Sequence, residues 1–217
     1  MTTLARRSSP RGEVALIRRD PDVLELRVNG TFVMDTAETS SERALARVAL
    51  DAVQDPRRVL VGGLGLGFTA EQVLADPRVQ VLDVVEIEQS VLDWLTDGTV
   101  PHGPALLADD RLTVHVEDVL TYLGRTAVAS YDVVLLDIDN GPDQLVHLSN
   151  RALYERGGLA LARRLLATGG ALVVWSAHPA PALETEMRTT VGSVRTYRVP
   201  VRLAERDEQY WVYAARR

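Results

Sequence analysis

The sequence predicts an α/β chain: a Rossmann-like, doubly wound, mostly parallel sheet of seven strands, with a C-terminal antiparallel hairpin and a small N-terminal β segment. Three observations predict it. Five apolar, β-branched runs between residues 58 and 175 alternate with helical stretches, and strands apolar on both faces belong to parallel sheets covered on both sides. The first run opens into a glycine-rich turn followed by an amphipathic stretch. Outside this region, short runs joined by turn residues flank it on both sides, the pattern of antiparallel pairs.

In chain order, residues 1–12 (MTTLARRSSPRG) are polar and basic and read as a disordered tail. They lack the apolar core of a secretory signal. No apolar run approaches the roughly 20 residues that span a bilayer, so no membrane is expected and the cytoplasm is the expected compartment. Residues 13–38 form the small β segment, with strands at Val14–Arg18, Val23–Val28 and Thr31–Met34 and Asn29-Gly30 as a hairpin turn. Residues 39–217 form the ligand-binding domain. Ser40 or Ser41 caps a helix to about Val53, with Leu45, Val48, Ala49 and Ala52 on one face. The sheet strands are Arg58–Val61, Val79–Val85, Leu112–Val116, Tyr131–Leu136 and Ala171–Trp175, with a long helix at roughly Asn150–Leu166. Val194–Arg202 and Gln209–Ala214 close the chain around a charged turn, Glu205-Arg206-Asp207-Glu208.

Composition removes several chemistries. With no cysteine, there are no disulfides, thiolate metal sites or cysteine nucleophiles. All 24 basic residues are arginine, which argues against P-loop hydrolysis and Schiff-base chemistry. A net charge of −6 without a basic block argues against nucleic acid as partner. Histidines 102, 115, 147 and 178 lack metal-ligand spacing, so no metal is expected. Trp175, at the end of its strand, and His178 just after it are placed to line a substrate pocket, with core packing the expected role of Trp175.

Four segments carry the chemistry. Val59-Leu-Val-Gly-Gly-Leu-Gly-Leu-Gly67 runs a buried strand into Gly63-x-Gly65-x-Gly67, where glycine permits close backbone approach and the following helix offers free N–H groups. Glu86 ends the next strand 19 residues after Gly67, the spacing at which an acid accepts ribose hydroxyls. Asp118 ends the third strand, placed to accept from an adenine amine, to cap the next helix, or both. Asp137 ends the fourth strand, with Asp139, Asn140 and Asp143 in the loop beyond. Such a cluster suits a cationic sulfonium, and mutual repulsion would raise one member toward general-base range.

These segments resemble the spermidine synthase (aminopropyltransferase) family within the class I S-adenosylmethionine-dependent methyltransferase fold. The likeness runs from about Val14 to Ala214, through VLVGGLGLGFT, VVEIEQSVLDW, RLTVHVEDVLTYL, YDVVLLDIDNGP and YRVPV…QYWVYAA. It implies that Glu86 holds the ribose and Asp118 the adenine amine, with Ile87 and Val119 beside them. It also implies that Asp137 is the base that deprotonates the attacking amine, and that the protein is a homodimer. The departures are specific. The family's GGGDGG loop is Gly62-Gly-Leu-Gly-Leu-Gly67, with Gly65 at the acid's place. The tyrosine–glutamine pair falls on Ser41-Glu42, and the DSSDP-type loop becomes Asp137-Ile-Asp-Asn140-Gly-Pro, so Glu42, Asp139 and Asn140 are candidate acceptor-binding residues.

An aspartate in the loop would repel the carboxylate of intact S-adenosylmethionine by about 1–4 kcal/mol. Its loss favours the intact cofactor, and with it methyl transfer to a small amine or similar nucleophile. Transfer of the aminopropyl or 3-amino-3-carboxypropyl arm, with the decarboxylated cofactor in the aminopropyl case, is the alternative. A non-catalytic member of the fold would have no chemical reason to keep Glu86, Asp118 and Asp137 together.

Overall fold

The fold comes from a computed structural model that describes residues 1–20, 22–142, 144–203 and 206–217. Four strands, β1 (Thr2–Ser9), β2 (Gly12–Asp20), β3 (Val23–Val28) and β4 (Thr31–Asp35), form an antiparallel sheet in that order. Residues 2–9 are therefore a strand, not a disordered tail. Their composition is polar, but a ladder to β2 from Thr2↔Arg18 to Ser9↔Gly12 satisfies the backbone, and Leu4 and Ala5 pack on the core. Asn29 and Gly30 take positive φ (51° and 77°), as a tight hairpin demands.

The second sheet has seven strands: β5 (Arg58–Gly62), β6 (Val81–Glu86), β7 (Leu112–Val116), β8 (Tyr131–Leu136), β9 (Leu166–Ser176), β10 (Ser193–Leu203) and β11 (Arg206–Arg216). Their spatial order is β10-β11-β9-β8-β5-β6-β7. The five central strands are parallel, and β11 runs antiparallel to both β9 and β10. Alternation along each strand separates two cores. Val59, Val61, Val133 and Leu135 face the side of α1 (Ser40–Asp51), α2 (Phe68–Leu74) and α3 (Gln89–Thr96). Leu60, Val134 and Leu136 face α5 (Val119–Arg125), α7 (Arg156–Leu165) and α8 (Pro181–Thr190). Each such fully buried side chain contributes about 1.5–3 kcal/mol. A short α4 (Gly103–Leu107) completes the α1 side.

Several boundaries differ from those read in the sequence. Neither Ser40 nor Ser41 caps α1 with its side chain; the N-cap is Thr39, and the Glu38 carboxylate accepts from the Ser40 amide at 2.7 Å. The helix expected at about 150–166 breaks into a 3-10 turn (Leu148–Asn150), α6 (Arg151–Tyr154) and α7, with Glu155 extended between them. Gly158 explains the tight corner: a Cβ there would lie 2.4 Å from the Ala152 carbonyl oxygen. Strand β9 starts at Leu166, five residues early. Arg206, Asp207 and Glu208 belong to β11, paired with Leu203, Arg202 and Val201, rather than to a turn. Glu205, the first residue of that expected turn, lies outside the described residues. Among the described residues no helix is long and apolar enough to cross a membrane.

Candidate active site

Strand β5 lies between β6 and β8, so the chain leaves it in opposite directions and a crevice opens at the C-terminal strand ends. A cavity of about 430 Å³ fills this crevice. One wall is the glycine turn with the ends of β6 and β8 and the start of α5. The other is β3, β4, the first turn of α1, and Tyr210 from β11.

The turn needs its glycines. Gly63, Gly65 and Gly67 have φ of +95°, +50° and +91°. At Gly63 a Cβ would stand 2.1 Å from the Asp137 carbonyl oxygen, and at Gly65 it would stand 2.6 Å from Met34 Sδ. Met34 thus ties the N-terminal sheet to the turn, its sulfur accepting from the Leu66 amide at 3.2 Å. Leu66, within the turn, is a buried core residue, and the turn carries no carboxylate.

Glu86 is buried at the end of β6. Its Oε2 accepts from the Leu64 amide at 3.0 Å, and its Oε1 from the Ile87 and Glu88 amides, both at 2.8 Å. Burial pushes its carboxyl up and these amides pull it back. Glu86 therefore holds the glycine turn and also faces the cavity. Ile87 follows it into the wall, and buried Glu88 accepts from Ser9 Oγ at 3.1 Å. Asp118 caps α5, its Oδ1 accepting from the Thr121 amide at 2.9 Å, while Asp118 and Val119 both line the cavity. The capping role read in the sequence is present.

Asp137 sits deep in the molecule with its accessible surface on the cavity. Thr69 Oγ1 donates to its Oδ2 at 2.6 Å, and burial raises its carboxyl to about 6 despite that bond. Glu42, in the first turn of α1, faces the same space. Ser41 Oγ donates to its Oε2 at 2.7 Å, and burial first, then the charge of Asp137, raises it to about 7. Asp139 is a brace more than a free acid: its oxygens accept from the Val146 amide at 2.8 Å and from Asn150 Nδ2 at 2.9 and 3.0 Å. Asn140 reaches the Phe32 carbonyl oxygen at 3.4 Å. Asp143 lies outside the described residues. Trp175 is buried, packs edge-on against Tyr210 at 4.9 Å between ring centroids, and lines the cavity with His178.

The site holds more than the sequence motifs point to. Asp35, Glu38 and Glu208 also line it, so nine carboxylates and, among its described residues, no arginine form the wall. Tyr210 stands among Glu42, Glu208, Glu38 and Asp35, and burial with their charges pushes its hydroxyl up to about 12. No local motif marks these residues, nor Thr69. They come from chain segments whose meeting only the fold reveals. Among the described residues no cluster of three or more histidines or acids has the arrangement of a metal site. The cavity suits cationic ligands with apolar spacers, given the aliphatic and aromatic side chains between the acids.

Known proteins align with this architecture. A polyamine aminopropyltransferase of Prochlorococcus marinus (strain MIT 9312) is 25% identical over 177 residues, 81% of this chain and 61% of its own length. Putrescine N-methyltransferase 3 of Nicotiana tabacum is 26% identical over 117 residues, 54% of this chain and 30% of its own length. The chain spans about half to three-fifths of the length of the first curated relatives it matches. A crystal structure of spermidine synthase in complex with the transition state analogue AdoDATO superposes with a TM-score of 0.86 at 15% identity, covering 99% of this chain and 73% of that one. The spermine/spermidine synthase domain matches residues 38–200. The chain belongs to the spermine/spermidine synthase domain family.

Proposed function

We propose that the protein transfers an aminopropyl group from decarboxylated S-adenosylmethionine to an amine of a polyamine. The single observation that carries this reading is the charge of the cavity: nine carboxylates and, among the described lining residues, no arginine. A diamine or triamine brings two or more positive charges to such a wall, and the sulfonium of the donor brings another. Most of the curated relatives named for their activity are polyamine aminopropyltransferases, which supports the same choice.

The methyl-transfer reading rested on one missing acid in the glycine turn. Intact S-adenosylmethionine would carry its carboxylate into a wall with nine acids, two of them (Asp35 and Glu88) paired with Arg19 and Arg11 behind it, and, among the described lining residues, no guanidinium to receive it. One loop charge does not offset that. The donor supplies a carbon made electrophilic by the adjacent sulfonium, and the chain's residues do the rest. The turn at Gly63–Gly67, with Glu86 and Asp118, takes the nucleoside. Asp137 stands opposite the attacking amine, with Thr69 fixing its orientation. Positioning of the two reactants is the main contribution.

Calorimetric titration with the two cofactor forms tests this. Decarboxylated S-adenosylmethionine is expected to bind at least tenfold tighter than the intact form, and the complex to turn over with putrescine or spermidine. Tighter binding of the intact cofactor, with methylated amine as product, would restore methyl transfer.

A further inference from the structure

Asp137 and Glu42 form a matched pair. Each exposes its carboxylate to the cavity, and each has one oxygen held by a neighbouring hydroxyl, Thr69 for Asp137 and Ser41 for Glu42. That leaves Asp137 Oδ1 and Glu42 Oε1 without a side-chain hydrogen-bond donor among the described residues. Their surroundings differ. Asp137 ends a central strand, enclosed by the glycine turn and β8. Glu42 lies on the first turn of a surface helix, in the group around Tyr210 that includes solvent-exposed Glu208. Ammonium held by Asp137 must lose a proton before its nitrogen can attack, and that proton must reach water before the next turnover.

We infer that the two carboxylates divide the work: Asp137 anchors the attacking ammonium and Glu42 takes its proton. The N–H bond breaks, its electron pair stays on nitrogen as the nucleophilic lone pair, and the proton forms an O–H bond at Glu42 Oε1. From there it leaves past Glu38 and Glu208 to solvent. The groups facing Glu42 are Asp137 just after β8, Glu38 from the segment before α1, its neighbour Ser41, and Tyr210 from β11, which Glu208 also approaches. Burial first, then the negative charges of Asp137 and Glu38, makes Glu42 the more basic member and the better proton acceptor. Arg43, the next residue, points away to Glu71 at 2.6 Å. This division of roles rests on the aminopropyl-transfer reading and assigns a residue that the sequence suggested only as an acceptor contact.

The test is titration of the whole protein with putrescine at pH 7 in two buffers of different ionisation enthalpy, which counts protons released on binding. The wild type is expected to release on the order of half a proton as the diamine displaces the one held by the pair. Glu42→Gln is expected to bind putrescine within about threefold of the wild type and to lose most of that release. In turnover, kcat falls about 10²-fold or more while KM for the amine changes little. The acid limb of its pH profile moves from near 7 to near 6, where Asp137 titrates. Glu42→Asp recovers part of both signals. Equal proton release by wild type and Glu42→Gln overturns the assignment alone. Failure of the wild type to bind any diamine or triamine overturns the aminopropyl reading together with it.

Discussion

Burial keeps Asp137 and Glu42 protonated to higher pH than in an unfolded chain, where they would titrate near 3.8 and 4.5. Between about pH 4 and 7 the folded state therefore binds more protons, and stability falls as pH rises through that window. Asp137→Asn has no charge to desolvate. It is expected to melt roughly 2–12 °C above the wild type at pH 8, for roughly 1–3 kcal/mol, and to lose that advantage near pH 4. Scanning calorimetry at the two pH values checks the sign. Glu86→Gln acts oppositely: it turns an amide N–H₂ toward backbone donors and should lower stability by about 2–3 kcal/mol in urea titration, along with nucleoside affinity. Both acids were legible in the sequence because each ends an apolar strand, and strand ends are where a doubly wound sheet places its ligands. Thr69 was not. A hydroxyl in the first turn of a helix looks the same whether or not a carboxylate stands 2.6 Å away.

At the scale of the element, the glycine turn is where local sequence and tertiary contact agree most closely. Gly63 combines positive φ with direct contact to the backbone of Asp137, so neither strain nor overlap can relax. Gly63→Ala is expected to destabilise by about 3 kcal/mol or more. At Gly65 the obstacle is the flexible end of Met34, so Gly65→Ala should be milder and partly rescued by Met34→Ala. Urea unfolding of the single and double variants checks this, as a coupling between the two sites. Strands β5, β6 and β8 were legible because both of their faces are apolar. The break between α6 and α7 was not, since Gly157-Gly158 reads as a weak point in one helix until the corner at Ala152 is seen. Strand β1 was hidden for a related reason: its hold is a backbone ladder, which leaves little trace in side-chain polarity.

Over the whole molecule, charge is sorted by place. Nine of the 30 acids face one cavity, and none of the 24 arginines is among its described lining residues. Such a concentration draws polycations from solution, and the attraction weakens as salt shortens its reach to about 8 Å at physiological ionic strength. Spermidine affinity is expected to fall about tenfold or more between roughly 20 and 300 mM salt, with a smaller change for a monoamine; equal salt slopes would refute the steering. The net charge of −6 was visible from the start, but its location was not, because Asp35, Glu38 and Glu208 are brought together only by the fold. The cavity's two walls also have different origins in the chain. The wall proposed to take the nucleoside comes largely from residues 63–119, and the acid-rich mouth joins residues 35–42 to residues 208–210. Loosening that junction is therefore expected to blunt amine selectivity while leaving nucleoside recognition in place. The same division lets the two specificities change independently, one by substitutions at the junction and the other by substitutions in the glycine turn and the strand ends beside it.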